Sequence, residues 1–480
     1  MTHASTASTC TEPWLPADDA LRRELHDEVH ARPPERIALP ALIIYIAVLH
    51  DEVTRDDELK HLQSLPGQST LTLPDLAGNF LRLELPQGQL RWERHSEFSR
   101  YTLVQPWPQG DDAMTPRIER IARIARIAPR ALDAAWLRAI PGRCVAAIEL
   151  LLLHGDMGDA DALLARGRQW FDEVSLVASV MGDGGLAGEV GRGHSCAVTD
   201  FKLRDDGFER MLVLAPAQTS ASRAGRISQR LLELETYRVM ALRGLPAAKA
   251  LGGMLGQAEA QLADITAHME GPGSSDPELL ATLIALAARV ERATAENGYR
   301  FSATQAYDTL VRQRIDELRE RAIPGTQTIG AFMQRRQWPA MATVAATAAR
   351  LAALSQRIER AGALLRTRVD IAAELQNQQL LAKLTRGQEL QLRLQSTVEG
   401  LSIAAISYYV VSLLLYGAKA AKAAGVPIEP ELAVGVLIPL VLWAVWRATR
   451  HVHRRLMARG DDANDDANDD ANDAPTSRTR

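Results

Sequence analysis

The pattern of hydrophobic and polar positions changes near the C-terminal end of this chain, where two runs of residues carry no charged side chain. The first run extends from Leu401 to Ala418 and the second from Leu432 to Trp446. A helix rises about 1.5 Å per residue, so about 20 residues cross the ~30 Å hydrocarbon layer of a membrane. The pattern predicts a transmembrane hairpin with helices over residues 398–418 and 432–449. The alternative is a helical hairpin buried in a soluble domain, because the second run is short.

Basic residues that follow the second run predict the orientation of this hairpin in the membrane. Five arginines lie between residues 447 and 459, whereas the linker between the two runs holds two lysines. Cytoplasmic loops carry an excess of Lys and Arg, so the C-terminus is expected in the cytoplasm. A two-pass hairpin then returns the N-terminus to the cytoplasm too. We therefore expect a protein of the cell inner membrane, with the lipid bilayer as its first partner.

Upstream, the pattern is typical of a water-soluble α+β domain over residues 19–216, after a disordered lead-in at 1–18. An apolar run from Ala41 to His50 predicts a buried strand. Alternating residues at 79–85 and 89–95, separated by Pro86-Gln-Gly-Gln89, predict a hairpin. Residues 96–103 are expected to continue its second strand. The apolar run 145–153 predicts a central strand.

From Arg223 to the first apolar run, the pattern favours helices, and no convincing strand is predicted. Residues 223–397 form a predicted helical stalk, in which 340–397 has apolar residues at the three- and four-residue steps typical of a coiled coil. Such a long helix cannot bury its apolar stripe alone. It must pack on the helices upstream, on another copy, or on both, so a homo-oligomer through the stalk is expected. Residues 460–480 predict a disordered acidic tail.

Net charge, the N-terminal sequence and the cysteines limit the classes of function and the compartment to consider. The formal net charge of −4 over 480 residues gives no signal for nucleic-acid binding. The N-terminus shows no secretory pattern. The three widely spaced cysteines, Cys10, Cys144 and Cys196, fit reduced thiols in a cytoplasmic body better than disulfides.

Several short sequence motifs, called the family words below, carry a family resemblance. They are Glu28-Val-His-Ala-Arg-Pro33, Trp92-Glu-Arg-His-Ser-Glu-Phe98, Trp136 with Ile140-Pro-Gly142, Thr199-Asp-Phe201, Asp206-Gly-Phe208 and Arg230-Leu-Leu-Glu-Leu-Glu-Thr-Tyr-Arg238. With them the chain resembles, over most of its length, a bacterial family of predicted membrane-anchored proteins of unknown function (domain of unknown function 3422). The resemblance implies membrane anchoring and brings no known activity. It supplies candidate site residues of unknown role: Glu28, His30, Arg32, Trp92, Glu93, Arg94, His95, Asp200, Glu235, Tyr237 and Arg238.

The sequence contains few candidate catalytic or ligand-binding motifs. The sequence holds no nucleophile elbow, phosphate loop, zinc-type cysteine spacing or kinase motif, so neither enzyme activity nor a cofactor is predicted. Glu93, His95 and Glu97 alternate along a predicted strand, where they form either acid/base groups at a pocket or paired surface charges. His26 and His30 share a helix face, as a metal site or as a packed helix end. An arginine stripe at 117, 120, 123 and 126 fits acidic headgroups, another subunit or a solvated face.

Two function classes remain after this inspection. The first is a non-enzymatic membrane-anchored scaffold whose body binds a protein partner that the sequence does not identify. The alternative is an oligomeric cation transporter, because the order of domains is similar to the magnesium transporters that carry a Gly-Met-Asn loop after their first membrane helix. Tyr416 and Gly417 stand at the corresponding place, but Ala418-Lys419 replaces Met-Asn. That departure weakens the case for cation selection by this loop.

Overall fold

The computed structural model describes residues 19–107, 132–271 and 275–451, with gaps at 24, 27–34, 158, 172–175, 183–193, 426, 428–429, 433–434 and 449–450. It divides into two compact units, residues 1–365 and residues 366–480. Several predictions fall outside the described residues. They are the lead-in 1–18, the arginine stripe at 117–126, the tail at 460–480, and the candidates Glu28, His30 and Arg32.

The first unit is built on a mixed sheet of nine strands in the order β2-β3-β4-β1-β5-β8-β7-β6-β9. Among these pairings β5 and β8 run parallel, and the other pairs are antiparallel. The strands are β1 (Ala41–Leu49), β2 (Phe80–Leu85), β3 (Gly88–Arg94), β4 (Phe98–Pro106), β5 (Arg143–His154), β6 (Val177–Met181), β7 (Ser195–Thr199), β8 (Glu209–Ala215) and β9 (Arg321–Ala322).

Both faces of this sheet are covered by helices, which explains the continuous apolar runs of its central strands. Along β1, Ile43 and Tyr45 join one apolar cluster, while Ile44 and Ile46 join the other. Helices α4 and α6 pack on the first face, and α1 and α3 on the second. The helices are α1 (Arg55–Gln63), α2 (Ala134–Arg138), α3 (Ala160–Phe171), α4 (Ala221–Leu242), α5 (Gly244–Glu270), α6 (Asp276–Leu318), α7 (Ile329–Arg336) and α8 (Trp338–Ala423).

An N-terminal domain of helices and strands followed by a mostly helical part is thus confirmed, with one correction inside the sheet. Residues 96–103 do not continue the strand that precedes them. The backbone N–H of His95 donates to the carbonyl of Phe98 at 2.8 Å, and the chain reverses. Strand β4 then returns antiparallel to β3, with Trp92 opposite Tyr101. A polar tripeptide, His95-Ser-Glu97, is sufficient for this tight turn.

The helical part of the first unit has its own apolar core, formed by α5, α6 and the first part of α8. The predicted stripe of α8 is buried there through Leu351, Leu354, Ile358 and Leu365. Helix α6 includes most of two stretches, 278–297 and 303–321, that the hydrophobic pattern predicts as separate helices. It ends at Leu318, after which Arg319 adopts a left-handed backbone with φ of 47°. The short strand β9 then joins the sheet, which corrects the prediction that no strand follows Arg223, because two residues are too few to show a strand pattern in the sequence.

The second unit contains the remainder of α8 and a further helix, α9 (Pro430–Ala448). Helix α8 extends to Ala423, beyond the predicted end at residue 418. Large apolar side chains on both helices are solvent-exposed, among them Leu401 at 73%, Leu413 at 71% and Leu440 at 62%. Both helices are long and apolar enough to cross a membrane.

Candidate functional site

Two of the family words, at residues 92–98 and 230–238, meet where helix α4 crosses the sheet. The helix approaches the preceding segment closely because residue 225 is glycine. A Cβ atom there would lie 1.7 Å from the carbonyl oxygen of Glu35. The backbone N–H of Ile37 donates to the carbonyl of Ala221 at 3.0 Å and holds the segment against the first turn of α4. This close contact brings the polar residues of α4 over strands β3 and β4.

A buried ion network joins β3, β4, α4 and α6. The carboxylate of Glu93 is fully buried and accepts from Arg91 and from Nε of Arg100. Arg100 also donates to Glu233 of α4 at 3.2 Å. Glu233 accepts in turn from Nε of Arg314 of α6 at 2.7 Å. One chain of charges therefore ties three neighbouring layers of the domain together.

Protonation in this network is set by burial and by its partners. Burial alone would raise the pKa of Glu233, but Arg100, Gln229 and Arg314 outweigh it and hold that pKa below the usual value. Burial, with the nearby Arg100 cation, lowers the pKa of Arg91 to about 10. The Glu233 carboxylate is thus ionised and paired near neutral pH. A buried network of this kind stabilises one arrangement of strands and helices, because its charged groups are paired with one another across those elements.

A pocket of about 390 Å³ opens beside this network, at the turn between β3 and β4. It brings together the predicted candidates Arg94, His95 and Tyr237, and Tyr307 of α6 lies beside Tyr237 with the ring centres 5.8 Å apart. The Arg94 guanidinium is held by the Glu58 carboxylate and, at 3.0 Å, by the carbonyl of Val53. The pocket is therefore lined by aromatic rings and by a cation that is already paired.

The turn also corrects the expectation for Glu93, His95 and Glu97. They do not share a strand face, because His95 and Glu97 lie in the turn itself. Glu93 points into the buried network, so it is not a surface charge. Glu97 instead accepts from both terminal nitrogens of Arg300 on α6, at 2.8 and 3.2 Å. The prediction of a shared strand face, on which both alternatives depended, is therefore wrong.

A second cluster unites the other candidates, Asp200, Glu235 and Arg238, around Glu209 at the start of β8. Nε of Arg238 donates to both oxygens of Glu235, at 3.0 and 2.8 Å, and its terminal nitrogen lies 3.6 Å from Glu209. Its guanidinium also lies 5.7 Å from the ring centre of Phe201. Burial first, and the neighbouring Glu235 carboxylate second, raise the pKa of Glu209 to about 8.

This raised pKa predicts a pH-dependent stability that Glu209→Gln removes. The folded protein keeps an extra proton on Glu209 between its ordinary pKa of 4.5 and about 8. Unfolding free energy is therefore lost as pH rises through that window, by up to about 1.4 kcal/mol for each pH unit. We expect the free energy of unfolding of the Glu209→Gln variant, measured in urea relative to the wild type, to increase by roughly 2–4 kcal/mol from about pH 5 to pH 8.

The matched control is Glu259→Gln, which removes an exposed carboxylate whose pKa is lowered by its hydrogen bond with Arg350. Its titration lies below the measured window, so its difference from the wild type should stay constant with pH. A constant difference for Glu209→Gln as well would show that Glu209 does not titrate in this range.

The remaining candidates lie elsewhere. Trp92 is fully buried on the opposite face of the sheet from Glu93, as strand alternation requires, and belongs to the apolar core there. Tyr416 and Gly417 lie within α8, which continues to Ala423, rather than in a loop. Sequence inspection did not select Arg91, Arg100, Glu233, Arg314 or Glu209. Their signal was present only as charged residues inside otherwise apolar strands and helices.

The fold and the site together define a class: an α/β domain with a mixed sheet and a charged sheet–helix junction, followed by a mostly helical part with two apolar helices. The chain belongs to a family described as "Protein of unknown function (DUF3422)", which it matches over residues 17–456. The predicted family is thereby confirmed. No curated protein and no solved structure matches the chain significantly.

Proposed function

We propose that this protein is a two-pass membrane protein whose N-terminal α/β body and helical stalk act on the cytoplasmic side as a non-enzymatic, partner-binding scaffold. The observation that carries the proposal is the exposure of its two most apolar helices. Only 6% of the most apolar window in each is buried by the rest of the chain.

Lipid is the environment that removes this apolar surface from water. Burying one Leu side chain contributes on the order of 2 kcal/mol, so a helix with many exposed leucines and valines gains strongly from a bilayer. The end of α9 also fits an interface. Trp443 lies there with the Arg447 guanidinium 5.1 Å from its ring centre, and aromatic and basic residues prefer the headgroup level. The arginines that follow in the sequence support a cytoplasmic C-terminus.

The stalk supports assembly with a second copy. Beyond residue 365 many large apolar side chains of α8 are exposed. Leu375, Leu384 and Leu394 are exposed at 54%, 64% and 68%. Exposed leucines repeated along one helix are typical of a surface that packs against an identical helix in an oligomer.

Scaffolding is favoured over catalysis by what the motif residues do. Glu93, Arg94, Glu235 and Arg238 are held in ion pairs that join structural elements. These pairs rigidify the body, so we infer that the family words maintain a fixed shape for recognition. A transport function draws less support, because Gly417 lies in a continuous helix and a selectivity filter needs backbone groups or side chains that line a pore.

The membrane proposal is tested by extraction of the full chain from isolated membranes. We expect it to resist alkaline carbonate and salt and to be released by detergent. The double variant Leu413→Arg/Leu440→Arg should become extractable without detergent, because each arginine costs about 2.5–3.5 kcal/mol at the centre of a membrane helix.

The matched control is Leu390→Arg, which places the same charge on an exposed leucine of the stalk. It should leave the chain in the membrane fraction. Release of the wild-type chain by carbonate would instead show that the apolar helices are covered by protein, and the membrane proposal would fail.

A further inference from the structure

A larger pocket, of about 1010 Å³, lies where α3, the loop between β7 and β8, and α7 meet. We call it the basic pocket because four cationic residues line it: Arg168, Lys202, Arg335 and Arg336. Among its described lining residues the one acidic side chain is Asp200. That carboxylate accepts from Arg204 and from the backbone N–H of Lys202, the latter at 3.1 Å, so it is already engaged.

Three of these cations are available to a ligand. Arg168, Arg335 and Arg336 are exposed, and they form no ion pair with any residue of the described ranges. Arginines at helix ends are common on solvated surfaces. Here, however, they come from two helices and line the same concavity. A concave surface with an excess of positive charge concentrates anions, so this placement favours the binding of an anion.

Backbone groups contribute little to this recognition, because the N-terminus of α7 is already satisfied. The N–H of Ile329 donates to Ser179 Oγ at 2.9 Å, that of Gly330 to a Glu320 oxygen at 2.6 Å, and that of Ala331 to Thr328 Oγ1 at 3.1 Å. The anion must therefore be held by guanidinium groups. These present a planar fork of donors that matches the oxygens of a phosphate.

The pocket also has room and an apolar wall for the rest of a ligand. Phe332 lines it and stacks on Phe201 with the ring centres 4.7 Å apart. Its volume lies at the upper end of the range for small-molecule sites, far above what inorganic phosphate fills. We propose that the basic pocket binds a phosphate monoester with an organic body, the phosphate against Arg335 and Arg336 and the body toward Phe332.

The phosphate monoester has two possible sources, a soluble phosphorylated compound or the headgroup of phosphatidic acid. The test uses the full chain in phosphatidylcholine nanodiscs and titrates phenyl phosphate, inorganic phosphate and benzoate by calorimetry. We expect phenyl phosphate to bind more tightly than inorganic phosphate, and benzoate more weakly than either. The Arg335→Gln/Arg336→Gln variant should lose about tenfold or more in phenyl phosphate affinity, because it removes the charged hydrogen-bond donors that hold the phosphate.

The matched control is Arg357→Gln/Arg360→Gln, which removes two exposed arginines of α8 that do not line the pocket. It should bind phenyl phosphate as the wild type does. Discs that contain phosphatidic acid separate the sources: weakened phenyl phosphate binding there identifies the headgroup, and unchanged binding identifies a soluble ligand. The proposal is overturned if no phosphate compound binds, if benzoate binds as tightly, or if the control loses as much affinity as the pocket variant. Unchanged circular dichroism of both variants excludes misfolding.

Discussion

Replacing Arg100 with Met should destabilise the α/β body by about 3–5 kcal/mol, the largest effect expected of any single substitution on stability. Arg100 is fully buried and holds both Glu93 and Glu233. Its removal leaves the buried Glu93 carboxylate with Arg91 as its remaining ion-pair partner among the described residues. Methionine fills similar space, so the loss comes mainly from charge. The measurement is urea unfolding of the full chain in detergent, followed by circular dichroism.

A control and a double-mutant cycle distinguish this explanation from general damage. Arg350→Met removes an arginine–carboxylate pair with Glu259 that solvent screens, and it should change stability far less. Glu93→Gln should cost less in the Arg100→Met background than alone, because an uncharged amide no longer needs the second cation. If the changes in unfolding free energy of the two substitutions are simply additive, the buried network does not stabilise the body as a unit.

Ending the chain at Gly400 should move the protein almost completely from the membrane fraction into the soluble fraction. The deletion removes both exposed apolar segments and leaves the first unit and the stalk intact. The product should unfold cooperatively, because the apolar clusters of the body involve no residue beyond Leu365. Fractionation, with light scattering on the soluble product, measures both expectations.

Light scattering on the same product tests the stalk. A chain that ends at Gly400 retains the exposed leucines of residues 366–397 and should have the mass of an oligomer. A chain that ends at Asp370 lacks all of them and should be a monomer. If both products are monomers, the stalk is not an assembly surface. If the Gly400 product still pellets with membranes, the two apolar helices are not what anchors the protein.

Much of the fold follows from local pattern. The alternation at 79–95 corresponds to β2 and β3, because a period of two distinguishes the two faces of a strand. The apolar runs at 41–50 and 145–153 correspond to β1 and β5, which are covered by helices on both faces. The turn at His95–Glu97 was missed because the polar residues of a tight turn also fit an exposed strand end. Helix α6 was divided because its polar middle resembles a helix boundary, although packing on α4 and α5 carries it through.

The residues of the candidate site were likewise predicted from the sequence only in part. The words around Trp92 and Tyr237 were selected from the sequence, and the structure brings Arg94, His95 and Tyr237 to one pocket. The network partners were not selected, because Glu93 and Glu233 are 140 positions apart and their pairing through Arg100 exists only after the sheet and α4 have met. The basic pocket was missed for the same reason, since Arg168 and Arg335 come from distant helices.

The sequence by itself determined the family, the change from a mixed domain to helices, and the two charge-free segments, because each depends on residue type and spacing along the chain. Tertiary structure alone decided which charges are buried and which are exposed. The cost of a charge depends on the dielectric and the partners around it, and these are set by residues far away in the sequence.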